Sequence, residues 1–212
     1  EIRSTVTNEG YMEISIIETP IPKPKDNEVL VRIEAAPINP SDLGRLLSHA
    51  ADLSEINTMN NNQITQIKIK LKEKLMGPLK PRLDQSLSLG NEGAGIVVDA
   101  GSQAKEMIGK TVGLAGGGMY CQYRCMPANN CLLMDDQTTP EEAASSFVNP
   151  MTALGFIETM KLEGHEALIH TAASSNLGQM LVKICKSDSV PLINIVRNSS
   201  QIELLKKIGA DI

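Results

Sequence analysis

The sequence predicts an α/β protein in two parts: a β-rich region over residues 1–139, then the first half of a doubly wound parallel sheet over residues 140–212. Three observations carry this. Glu166 to Ile212 lays out strand, turn, helix, strand and helix in one pass, glycine-bounded apolar runs recur between residues 89 and 126, and a helix-start signal at Thr139 separates the two patterns.

In chain order, Met12, Ile14 and Ile16 alternate with polar neighbours, TPIPKPKDNE breaks the run, and Val29, Val31 and Ile33 alternate again. Antiparallel strands follow from that period of two. Pro37 and Pro40 bracket Ile38 and Asn39, and Ser41 is the expected N-cap of a short helix, so a loop presents Asn39 at a helix start. Residues 48–86 are less regular. After the polar string Asn57 to Gln63, Ile67, Ile69 and Leu71 alternate with Lys68, Lys70 and Lys72, which predicts a strand with one wet, basic face. That face reads either as a patch for phosphate or an anionic substrate, or as an edge strand guarded by lysine; the second reading is preferred.

Leu89 to Val98 and Gly109 to Leu114 are glycine-bounded strands of the kind found in a small β-barrel, and Met119 to Met126 alternates into another strand. The repeated glycines precede a strand and not a helix, so they do not form a phosphate loop. Thr139-Pro140-Glu141-Glu142 supplies an N-cap, a proline at the first helical position and a glutamate three residues after the cap. The helix it starts is expected to break at Asn149-Pro150 and to resume over Met151 to Met160.

Ala167, Leu168 and Ile169 have the character of a strand buried on both faces. Small residues from Thr171 to Asn176 follow, and Leu177, Leu181, Ile184 and Cys185 mark one helix face. A small-residue turn opening on a helix N-terminus is suited to a phosphate, because unpaired N–H groups and the helix dipole both point there. Leu192 to Val196 is a second buried strand, and Ile202, Leu204, Leu205 and Ile208 a second helix ending at Gly209. Two strands cannot complete such a sheet, so exposed apolar edges and faces are expected. The missing Met at position 1 and the stop after IGADI read as a piece of a longer chain.

Composition narrows the function classes. A net charge of −5 argues against a general nucleic-acid partner. No apolar run approaches the roughly 18 residues of a membrane span and no signal peptide opens the chain, so no membrane partner and a cytoplasmic location are expected. The four cysteines, Cys121, Cys125, Cys131 and Cys185, contain no C-x-x-C pair and read as ordinary buried thiols, the first three on adjacent strands.

The ordered set NPSDL, GNEGAG, the strand at Gly109-Lys110-Thr111-Val112, PEEAA, N-P-x-T-A and the final βαβ unit resembles the medium-chain dehydrogenase/reductase superfamily. GNEGAGIVV, SSFVNPMTALG and ALIHTAASSNLGQMLVKIC look most like its zinc-independent NADPH:quinone oxidoreductase branch. This resemblance implies a GroES-like β-barrel domain over 1–139, with 48–86 atypical, and a partial, C-terminally truncated Rossmann domain over 140–212. Zinc-dependent members carry Cys at the position of Asn39 and G-H-E at Gly90-Asn91-Glu92, so no metal is expected here. The family turn pattern A/G-x-x-G-x-x-G falls on Ala172, Ser175 and Gly178, which assigns the cofactor turn to Ala172, Ala173, Ser174, Ser175, Asn176, Leu177 and Gly178; Ser175 departs from the pattern.

At the end of the second strand, where an NAD enzyme carries a carboxylate, this chain has Arg197-Asn198-Ser199-Ser200. The Arg197 guanidinium and the Ser199 hydroxyl suit the 2′-phosphate of NADP, so NADPH is the expected cofactor. By the same resemblance Asn39 and Thr152 lie beside the nicotinamide, and the acceptor sits in an interdomain cleft. The implied activity is metal-independent hydride transfer from NADPH to a quinone or to an α,β-unsaturated carbonyl, an enal or enone. Two alternatives stand: an enoyl-thioester reductase whose stretch Lys68 to Lys74 contacts an acyl carrier's phosphates, and a catalytically silent NADPH-binding or interaction protein. A homodimer is expected.

Overall fold

The computed structural model describes residues 1–60 and 64–210, which fall into two compact units, Glu1–Ser145 and Ser146–Ile212. Part of the polar string Asn57–Gln63, and residues 211 and 212, lie outside the described residues.

The first unit is built from β1 (Ile2–Val6), β2 (Tyr11–Ile16), β3 (Glu28–Ala35), α1 (Pro40–Leu46), β4 (Ala51–Asn60), β5 (Ile64–Leu71), β6 (Leu87–Ser88), β7 (Glu92–Ala100), β8 (Thr111–Ala115), β9 (Tyr123–Pro127), β10 (Cys131–Leu133) and α2 (Pro140–Ala143). Its strands form two five-stranded antiparallel sheets, ordered β4-β5-β2-β1-β6 and β10-β8-β7-β3-β9. Each sheet has its own apolar cluster, Val6, Met12, Ala50, Ile69 and Leu71 on the first, and Val29, Val31, Val97, Val112, Leu114 and Met119 among others on the second. Of the alternating residues picked out in β3, Val29 and Val31 are fully buried and Ile33 is half-buried, while Leu30 between them is buried as well.

The GNEGAG run enters β7, as its context predicts. Gly95 is obligatory there, since a Cβ would sit 1.9 Å from the Arg32 carbonyl oxygen of β3, beside a register shift between Ile33 and Ala35. The two strands approach each other more closely than any side chain allows.

Several expectations for this unit need correction. β5 is an interior strand between β4 and β2, not an edge, because residues 51–60 form the unforeseen strand β4 outside it. β4 escaped notice because its apolar residues do not alternate into a core: Leu53 is 57 % and Ile56 48 % exposed. The basic face is partly neutralised, with Lys68 Nζ 2.8 Å from Glu13 Oε1, its direct cross-strand neighbour. Cys125 on β9 and Cys131 on β10 lie on opposite edges of their sheet, not on adjacent strands. All four thiols are free, and burial raises the pKa of each.

The second unit comprises α3 (Val148–Leu162), β11 (Leu168–His170), α4 (Asn176–Ser187), β12 (Leu192–Asn194) and α5 (Ser199–Lys207). β11 and β12 pair in parallel with Leu168 opposite Leu192 and His170 opposite Asn194, as a βαβ crossover demands. The Thr139 capping box is present, with Thr139 N–H donating to Glu142 Oε2 and Glu142 N–H to Thr139 Oγ1. The helix break comes earlier than expected: α2 ends at Ala143 and α3 begins at Val148, so Pro150 occupies the first turn of α3, where it costs no helical hydrogen bond.

Neither strand is buried on both faces. Leu168 and Leu192 pack against α3 and α4 around Ala153, Ile157, Leu181 and Cys185, whereas Ile169 is 65 % and Ile193 54 % exposed on the opposite face. Among the described residues no helix is long and apolar enough to cross a membrane.

Candidate functional site

In the first unit the residues flagged by sequence cluster around the start of α1. Asn39, not Ser41, is the N-cap, and Pro40 fills the first helical position. Asn39 is 4 % exposed, Asp42 3 % and Glu92 fully buried. The Asn39 carboxamide donates through Nδ2 to Glu92 Oε1 at 2.8 Å. Asp42 accepts twice, from the Asn39 backbone N–H at 2.8 Å and from the Asn91 N–H at 2.9 Å, and Asn91 Nδ2 donates to Ser41 Oγ at 3.0 Å. These bonds tie the loop 37–42 to the start of β7, some fifty residues away in sequence. Tyr120 donates from its hydroxyl to the Pro37 carbonyl at 3.0 Å. Burial, and then the nearby Asp42, push its pKa up to about 12, so the phenol stays a donor across the physiological range.

Sequence reading singled out Asn39 but missed its partners Asp42 and Glu92, and missed Tyr120, which bonds to the same loop at Pro37. A signal existed for Asp42, three residues after the cap, in the capping-box position. For Glu92 and Tyr120 only the fold supplies the contact.

In the second unit the turn after β11 leads into α4, and Ser175 is its N-cap: Oγ accepts the Gly178 N–H at 3.1 Å. Ser175 has φ −67 and ψ 166, ordinary extended backbone, so the serine needs no glycine-like conformation. Gly178 is irreplaceable for a different reason. A Cβ there would lie 2.2 Å from the Ala173 carbonyl oxygen, so the helix packs on the turn with backbone touching backbone. Ala173 is fully buried beneath the turn, Ser174 accepts from Gln179 Nε2 at 3.1 Å, and Ala172, Ser175 and Asn176 face solvent. Leu177 packs toward the α3–α4 core.

Beyond β12, Asn198 caps α5 by accepting the Gln201 N–H at 3.1 Å, and the Arg197 N–H donates to Gln201 Oε1 at 2.8 Å. Arg197 and Ser199 are exposed, and neither α4 nor α5 carries an acidic residue in its first turn. Thr152 is exposed on α3 and donates from Oγ1 to the Val148 carbonyl at 2.5 Å. Asn39 therefore belongs to the first unit's cluster, while Thr152, the turn 172–178, Arg197 and Ser199 belong to the second unit. Among the described residues no group of three or more His, Cys, Asp or Glu side chains could hold a metal ion.

The chain thus carries a β-rich unit with a buried Asn–Glu–Asp cluster and, after it, a parallel βαβ unit with a tight small-residue turn. The chain belongs to the medium-chain dehydrogenase/reductase superfamily: residues 25–136 match the family model of the alcohol dehydrogenase GroES-like domain. It is similar to the mitochondrial enoyl-[acyl-carrier-protein] reductase of Caenorhabditis elegans, with 27 % identity over 94 % of this chain and 51 % of that protein. It is also similar to the chloroplastic quinone-oxidoreductase homolog of Spinacia oleracea, with 25 % identity over 95 % of this chain and 56 % of the other. The Escherichia coli quinone oxidoreductase structure, complexed with NADPH, shares the fold with a TM-score of 0.64 at 21 % identity, over 99 % of this chain and 57 % of that one. The chain thus spans about half the length of the curated relatives it matches.

Proposed function

We propose that the protein is an NADPH-dependent, metal-independent reductase that delivers hydride to a quinone or to the β-carbon of an α,β-unsaturated carbonyl. The observation that carries this reading is the turn 172–178, where Gly178 lets α4 close onto Ala173 and turns a helix N-terminus toward an exposed, acid-free loop. The residues fit a dinucleotide. The first-turn N–H groups of α4 would hold a pyrophosphate oxygen, and Ser175, whose Oγ accepts from Gly178, keeps its own hydroxyl proton to donate to the same group. Arg197 and Ser199 would hold the 2′-phosphate, since the guanidinium offers paired donors and no first-turn carboxylate opposes it. NADPH is also the ligand of the E. coli structure that shares the fold.

When bound, the nicotinamide supplies the hydride. The chain's own part is to bind and orient, and in the first unit Asn39, with its rotamer held by Glu92, would face the nicotinamide. No residue of this chain is assigned as proton donor; solvent supplies the proton that completes reduction of the acceptor.

Enoyl thioesters are the second acceptor class, favoured by the enoyl-[acyl-carrier-protein] reductase among the relatives. Lys72 and Lys74 are exposed on the path of an acyl carrier's phosphates in that reading, whereas Lys68 is already bound to Glu13.

Titrating the protein with NADPH and NADH while following nicotinamide fluorescence, then measuring turnover with quinones, enals and enoyl thioesters, tests both levels. Tight NADPH binding with weaker NADH binding and turnover of one acceptor class is expected. Equal affinity for the two cofactors would overturn the role of Arg197, and NADPH binding without turnover of any acceptor would identify a silent binding protein.

A further inference from the structure

Asn39 sits where a carboxamide has two nearly isosteric orientations, differing by a half-turn that exchanges Oδ1 and Nδ2. What selects between them is the neighbour. Glu92 enters from the first residue of β7, is fully buried, and meets the Asn39 carboxamide at 2.8 Å from Oε1 to Nδ2. A carboxylate oxygen facing that amide accepts a hydrogen bond, so the NH2 group turns toward Glu92 and the carbonyl oxygen turns away.

A second pair of bonds fixes the backbone beneath. Asp42 accepts from the N–H of Asn39 and from the N–H of Asn91, the residue next to Glu92, so donor and acceptor of the first bond ride on segments clipped together by the same side chain. Buried polar groups joined in this way are expensive to leave half satisfied.

We infer that Glu92 is a positioning residue for the reaction: it dictates which end of the Asn39 carboxamide faces the nicotinamide side of the site, with Asp42 holding the loop and strand in register. The inference rests on the reading of Asn39 as a nicotinamide-facing residue. Glu92 acts through Asn39. Glutamine at this position can donate or accept, so it removes the preference for one orientation while preserving volume.

The test is a double-mutant cycle on the protein with Asn39→Ala and Glu92→Gln. Glu92→Gln is expected to lower kcat about tenfold with KM for NADPH and acceptor within about twofold, the signature of a misoriented group and not of a lost binding contact. In the Asn39→Ala background the same change is expected to have no further effect on kcat. An equal loss in both backgrounds would show that Glu92 acts structurally and would overturn the inference, as would wild-type kcat in the single variant.

A readout independent of turnover separates this from failure of the functional reading. The Asn39 side-chain NH2 resonance, identified by its disappearance in Asn39→Ala, is expected to move in Glu92→Gln; an unmoved resonance overturns the positioning role even in an active enzyme. If the resonance moves but the wild-type protein neither binds NADPH nor turns over, the local geometry stands and the reductase reading is what falls. Should Glu92→Gln fold poorly, Glu92→Asp withdraws the carboxylate from Asn39 by one methylene and is expected to give the same kcat loss.

Discussion

The sheet β10-β8-β7-β3-β9 and the pair β11-β12 use the same apolar, mostly β-branched residues to different ends. Val29, Val31, Val112 and Leu114 are fully buried in the first, while Ile169 and Ile193 in the second are 65 and 54 % exposed. Local sequence makes a strand with an apolar face; burial of that face needs a second layer, and only the first sheet has apolar cover of this kind. On β11-β12 the helices α3, α4 and α5 cover one side, around Leu168, Leu192 and Leu205, while Ile169 and Ile193 on the other side are exposed among the described residues. At about 25 cal/mol per Å² of apolar area buried, a residue's contribution follows its cover and not its type.

Substitutions can break or sharpen this contrast. The largest effect is expected for Leu114→Ala, which opens a cavity in a closed core and should cost about 4 kcal/mol in urea unfolding; a cost under about 1 kcal/mol would show that the first unit's core is loosely packed. Gly178→Ala forces a Cβ against the Ala173 carbonyl and is expected to cost about 3 kcal/mol and to abolish NADPH binding by fluorescence titration. Unchanged affinity there would remove the turn from the cofactor site.

Arg197→Ala is expected to weaken NADPH binding about tenfold and leave NADH affinity unchanged, a difference read from parallel titrations. Ser175→Ala removes the cap of α4 and should cost about 1 kcal/mol, whereas Ser175→Gly should cost only a few tenths. The smallest effect belongs to the bare face: Ile193→Ser in the 212-residue chain is expected to change stability by less than about 0.5 kcal/mol. A loss comparable to that of Leu114→Ala would mean that Ile193 is covered in solution.

Much of the fold was legible because it depends on neighbours in sequence. Alternation located β2, β3, β5 and β9, bounding glycines located β7 and β8, the Thr139 box announced α2, and helix periodicity located α4 and α5. β1 and β4 were not legible, since Ser4 occupies a fully buried position in β1 and Leu53 and Ile56 of β4 face outward, so neither strand shows the pattern a buried face imposes. The edge reading of Lys68 failed with them, because whether a strand is an edge depends on who pairs beside it. Among the candidate residues, Ser175, which departs from the family pattern, proves to be the N-cap of α4.

By itself, the sequence determined the order of the two parts, the period of β2, β3, β5, α4 and α5, the cap at Thr139, and the small-residue turn before α4, all set by interactions within a few residues. The tertiary structure alone decided that Glu92 and Asp42 hold Asn39 from segments some fifty residues apart, that Tyr120 reaches Pro37, that Gly178 is required by the backbone of Ala173, and that Ile169 and Ile193 lie bare. The reason is physical: propensity and capping act through covalent neighbours, whereas burial, buried hydrogen bonds and backbone contact depend on which distant segments the fold brings together.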